Sequence, residues 1–160
     1  MVRSICFTGH RHIARAELPA LLKELRRVLE TGHSAGLCGR FTPAVHWGGI
    51  PIVHRRCWIC GRSIPVLPCI WCCPVPAGSR RHAGQKHKRQ PMTALFREAD
   101  SCEFVSEEYT KSCMRLRNQR LVELADCCIC YCSDPAGRSG TAQTVRMAKQ
   151  KGIPVINLVK

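Results

Sequence analysis

The chain has 160 residues, with 25 Lys and Arg against 11 Asp and Glu, a formal charge of +14, and 13 cysteines. That length fits one domain with a real core, and no run of about 18 apolar residues is present, so no membrane span is expected. No long apolar stretch precedes a cleavage site at the N-terminus, so secretion is not expected, and the cysteines read as reduced thiols of a cytoplasmic protein.

The charge is unevenly placed. Residues 1–30 carry six basic and three acidic side chains, and residues 98–160 carry nine and eight. Residues 31–97 carry ten basic side chains and no acid. A nucleic-acid-binding patch would account for a basic segment. It would not account for the complete loss of Asp and Glu between two ordinary flanks.

In chain order, Ser4 to Phe7 is a short apolar run that predicts a first strand, followed by Thr8-Gly9-His10-Arg11. A Gly-containing turn with an Arg beside it places N–H donors and a guanidinium where a phosphate can sit. Leu18, Leu21, Leu22, Leu25, Val28 and Leu29 keep helical spacing with Lys23, Arg26 and Arg27 outward, which predicts a core-facing helix. From Thr31 to about Pro91 neither a helix nor a strand period is kept, and prolines interrupt every run. Cys57-x2-Cys60 and Cys69-x2-Cys72 within it have the paired spacing of a tetrahedral zinc site.

Normal composition returns at Glu98. Cys102 to Ser106 predicts a strand and Ser112 to Leu124 a helix carrying Arg117 and Asn118. Cys127 to Cys132 predicts another strand, on which the alternating Cys128, Cys130 and Cys132 read as small buried hydrophobes. A Pro135/Gly137 turn, a helix opened by Ser139-Gly140-Thr141 and ended by Gly152, and a strand from Ile153 to Leu158 complete a βαβ unit. In such a unit the loop after the first strand brings backbone N–H groups and a helix N-terminus to the carboxyl edge of the sheet, where anions bind. The fold class expected is α/β, a Rossmann-like parallel sheet with flanking helices, disrupted or irregular in its middle segment.

Both flanks resemble the YpsA-like branch of the SLOG superfamily, Rossmann-like proteins related to DprA and to the LOG phosphoribohydrolases. The residues that carry the resemblance begin with Cys6-Phe7-Thr8-Gly9-His10-Arg11, Ala99-Asp100 and Val105-Ser106-Glu107-x-Tyr109. They continue with Cys113-Met114-x-x-Arg117-Asn118, Gly140-Thr141-Ala142-Gln143-Thr144-Val145 and the tail Ala148 to Leu158. The resemblance covers residues 3–30 and 94–160 of what is taken as a single domain spanning 1–160, with 31–92 aberrant.

Such proteins would show a second loop, G-G-A-L-G-x-D-T, then A-V-L-D-L-R and a strand L-V-L-P-C-P. None is printed here, but each is permitted when codons are read from their third base. His46-Trp47-Gly48 must then give Leu-Gly, Cys57-Trp58-Ile59-Cys60 gives Leu-Asp and Leu or Met, and Trp71-Cys72-Cys73 gives Val-Leu. From Phe41 onward the shifted codons permit Y-T-G-G-A-L-G-W-D-T at the family spacing. Residues from about Gly36 to Gln85 therefore read as an out-of-frame stretch between two compensating frame changes. That reading accounts for the missing acids, the surplus of Cys, Trp, Arg and Pro, the lost periodicity and the paired cysteines together. Zinc accounts only for the last.

The resemblance implies a domain binding a nucleotide or nucleotide-derived small molecule, impaired in this copy by the aberrant segment. Thr8, Gly9, His10 and Arg11 would form one wall, Ser139, Gly140 and Thr141 the phosphate-facing loop, and Arg117 and Asn118 polar side chains near it. No resident cofactor, metal, nucleic acid or membrane partner is expected. The related phosphoribohydrolases use an Arg and a Glu, whereas the position two after Thr141 is Gln143, which cannot act as a general base. No catalytic carboxylate is recognisable, so an enzyme is not expected. Two alternatives remain: a zinc-stabilised basic module binding nucleic acid, with Cys57, Cys60, Cys69 and Cys72 as ligands, and a nucleotide N-glycosidase of the phosphoribohydrolase type.

Overall fold

The structure, a computed structural model, describes residues 4–10, 13–34, 41–43, 70–73, 101–107 and 110–159. Its elements are β1 (Ile5–Gly9), α1 (Leu18–Ser34), β2 (Phe41–Pro43), β3 (Ile70–Cys73) and β4 (Ser101–Phe104). These are followed by α2 (Cys113–Glu123), β5 (Cys127–Tyr131), α3 (Gly140–Lys151) and β6 (Val155–Asn157).

Four strands form one parallel sheet in the order β2-β1-β5-β6, and β3 pairs with β4, also in parallel. The α/β fold expected from the sequence is the one observed, a parallel sheet flanked by helices. β1 and β5 run in register from Ile5 opposite Cys127 to Gly9 opposite Tyr131. The start of that register is pinned where Asp126 Oδ2 accepts from Ser4 N at 2.8 Å and Asp126 N donates to Ser4 O at 2.8 Å.

Alternation along the strands sorts the core into two layers. Ile5, Phe7, Cys127 and Ile129 pack with Leu21, Leu25 and Leu29 of α1 and with Leu158. Cys6, Cys128 and Cys130 pack on the other face with Leu121 and Val122 of α2 and Ala142, Val145 and Ala148 of α3. The reason lies in the handedness of crossovers. α1 links β1 to β2 in one direction along the sheet and α3 links β5 to β6 in the other. Right-handed connections that run in opposite directions place their helices on opposite faces. A central strand buried on both sides must be apolar throughout, which is why β5 reads Cys-Cys-Ile-Cys-Tyr rather than alternating with polar residues.

The helix ends follow local chemistry. Ser139 caps α3, its Oγ accepting from Ala142 N at 3.1 Å, and Gly152 closes it at φ 78°, a conformation that favours glycine. α2 carries no acidic residue in its first turn and no side-chain cap at Ser112. Its stability comes instead from contacts to its neighbours. Arg120 Nε holds Glu103 of β4 at 2.6 Å, and Lys151 Nζ donates to the carbonyls of Val122, Glu123 and Ala125 at 2.7–2.9 Å.

β2 and β3 fall inside the stretch read as out of frame, where the shifted reading writes Y-T-G and Val-Leu; the rest of that stretch lies outside the described residues. Arg11, Cys57, Cys60 and Cys69 also lie outside them, and of Cys72 the backbone alone is described, within β3. Among the described residues no helix is long and apolar enough to cross a membrane, and no group of three or more His, Cys, Asp or Glu could hold a metal ion.

Candidate ligand site at the carboxyl edge of the sheet

β1 and β5 are neighbours in space, yet the chain leaves their carboxyl ends in opposite directions, toward α1 and toward α3. Such a reversal is where open α/β sheets form their ligand-binding crevice. His10 emerges from β1 on one side and Cys132-Ser133 from β5 on the other. The two loops are joined: Ser133 N donates to His10 Nε2 at 3.1 Å, and Ser133 Oγ lies 3.1 Å from the same nitrogen. The His10 ring meets the Tyr131 ring edge to face, centroids 6.4 Å apart. The Tyr131 hydroxyl donates to Glu17 Oε2 at 2.8 Å, which ties the entry to α1 into the same cluster.

The loop from Cys132 to Ser139 is held at each turn. Asn157 at the end of β6 accepts from Cys132 N at 3.1 Å and donates to Cys132 O at 2.8 Å. Asp134 Oδ1 accepts from Gly137 N at 3.0 Å, and a Cβ at position 137 would run into the same carboxylate. Arg146 reaches back from α3 to Pro135 O and Gly137 O at 3.3 and 2.8 Å. Ser139 then turns the chain into α3, with Gly140 exposed as its first residue.

A helix start leaves its first N–H groups without intrahelical acceptors. In α3 the Ala142 amide is taken by Ser139 Oγ and the Gln143 amide by Ser139 O. The Gly140 and Thr141 amides are the pair left to meet an anion, at the positive end of the helix dipole. The first turn is braced from behind by Asn118, whose Nδ2 donates to Gly140 O and Gln143 Oε1, both at 3.3 Å, and by Thr144 Oγ1 donating to Gly140 O at 3.0 Å.

Of the residues expected to line a site, His10, Ser139 and Gly140 lie at this edge, with Gly9 one residue before His10. Thr141 is buried. Arg117 and Asn118 come from α2 and are buried at 0% and 2% exposure, Arg117 Nη2 lying 3.9 Å from Met114 Sδ. Asn118 works from beneath the helix start instead of across the crevice. Thr8 Oγ1 and Asn118 Oδ1 are buried and have no hydrogen-bond partner among the described residues. Gly137 was expected in the turn, and three further participants, Asp134, Arg146 and Asn157, were not singled out from the sequence. Asp134 could have been, because Asp-Pro-x-Gly is a turn signal. Asn157 and Arg146 could not, because their carbonyl and amide partners come from distant positions in the chain.

The cysteines of β1 and β5 are free and buried, as small hydrophobes. Burial pushes the Cys130 thiol up to about 12, and the contact with Cys6, together with burial, pushes Cys128 well above the ordinary thiol range. Cys128 and Cys130 are therefore held as neutral thiols near pH 7, the poorly nucleophilic form.

No family profile matches the chain, and no curated protein matches it. Among solved structures it is similar to DNA processing protein A from Helicobacter pylori, described for its mode of single-stranded DNA binding. The TM-score is 0.59 at 15% identity, over 96% of this chain and 63% of the other. The fold is DprA-like. The chain spans under two thirds of the length of that DprA-like relative, and the likeness at this identity concerns the fold.

Proposed function

We propose that this chain is a ligand-binding SLOG domain of the YpsA-like branch, taking a nucleotide or nucleotide-derived molecule at the carboxyl edge of β1 and β5. The observation that carries the reading is the first turn of α3. Its Gly140 and Thr141 amides have no intrahelical acceptor, and the loop before them is held by Asp134, Arg146 and Asn157. That arrangement suits a phosphate, and the crevice beside it suits the rest of a nucleotide. No hydrolytic step is proposed: Gln143 is an amide already engaged by Asn118, and it cannot take a proton from water.

Titration of the purified protein with a nucleoside 5′-monophosphate and with its parent nucleoside tests this. The phosphate-bearing form should bind about tenfold or more tightly, the worth of one or two charge-assisted hydrogen bonds. Equal affinities would remove the α3 amides from the site.

A second reading is single-stranded DNA, favoured by the DprA likeness. It predicts that a labelled oligonucleotide binds more tightly than the mononucleotide, with affinity falling steeply between about 50 and 200 mM salt as several phosphates are neutralised. A salt-insensitive mononucleotide site would reject it.

We also propose that residues from about Gly36 to Gln85 are out of frame relative to the rest of one 1–160 domain. An accurate read of the coding DNA across codons 30–92 should then show one base gained or lost at each end. A DNA sequence that encodes every one of these residues in one continuous frame, homologous throughout, would reject the frame change and return the Cys57, Cys60, Cys69 and Cys72 set to a zinc measurement.

A further inference from the structure

We draw no further inference here: the strongest candidate, the pair of thiols that Cys6 of β1 and Cys128 of β5 bring into register between the two central strands, is sealed in the core with both residues at 0% exposure, and nothing in the structure shows how an oxidant or a metal ion would reach it.

Discussion

Raising the pH from about 9 to about 12 is expected to remove several kcal/mol of stability and unfold the protein in one step. The cause is the thiols of the central strands. Cys130, 1% exposed, is held as the neutral thiol up to about 12 in the folded chain by burial, against an ordinary value of 9.0. Cys128 is shifted in the same direction by its contact with Cys6 and by burial, and Cys127 by burial. Below pH 9 both the folded and the unfolded chain keep these protons, and pH has no leverage. Above it the unfolded chain gives them up while the folded chain retains them, so stability falls as pH rises. A gap of three units corresponds to about 4 kcal/mol for Cys130 alone, a large part of the usual margin of about 5–15 kcal/mol. Denaturant unfolding of the parent and of Cys130→Ala at pH 8 and at pH 11 checks this: the variant, lacking that thiol, should lose less stability across the interval, and an equal loss would show that Cys130 is not sealed in the core.

Lys151→Met should cost about 3 kcal/mol, and lower Tm by roughly 6–12 °C for a chain of this length. Lys151 closes the end of α2: its ammonium donates to Val122 O and Glu123 O at 2.9 Å and Ala125 O at 2.7 Å, where the helix dipole is negative. One compact donor with three hydrogens fits three convergent carbonyls, so Lys151→Arg, with a planar fork, should recover only part of the loss. The methionine keeps the stem, so the change isolates the charge and its hydrogen bonds. Thermal unfolding of the three proteins at one pH decides it; a methionine variant within 1 °C of the parent would place those carbonyls in the care of solvent.

Both expectations concern the C-terminal half of the chain, and sequence and structure agree well there and in α1. Leu21, Leu25 and Leu29 keep a helical period and lie buried against β1 and β5. The run from Cys127 is a strand, Ser139 is a cap, and Gly152 is a left-handed stop. Each of these depends on the residue itself or on neighbours within a turn, so the printed order of residues contains the needed information. Boundaries moved by a few residues: the strand expected from Ser4 to Phe7 runs to Gly9, and the one expected from Ile153 to Leu158 is three residues, Val155–Asn157. Apolar periodicity marks the core of a strand and is silent about where its ladder of hydrogen bonds ends.

The candidate site was legible only in outline. Ser139-Gly140 at a helix start and His10 after a strand could be picked out because a phosphate-facing turn needs a cap, a residue without Cβ and a donor nearby. That Asn118 would sit behind the helix, bonded to Gly140 O and Gln143 Oε1, required α2 and α3 to pack side by side, 22 and 25 residues apart in sequence. The link from His10 to Ser133 spans 123 residues, and that from Tyr131 to Glu17 spans 114.

By itself, then, the sequence determined the α/β class, the parallel βαβ unit from Cys127 to Asn157, the burial of its thiols and the place of one helix start, because these follow from local period, local caps and residue size. Only the tertiary structure decided which strands are neighbours and which face each helix covers. It also decided that His10 would meet Ser133, 123 residues away, because strand order and crossover direction arise when segments far apart in the chain bury their apolar faces against one another.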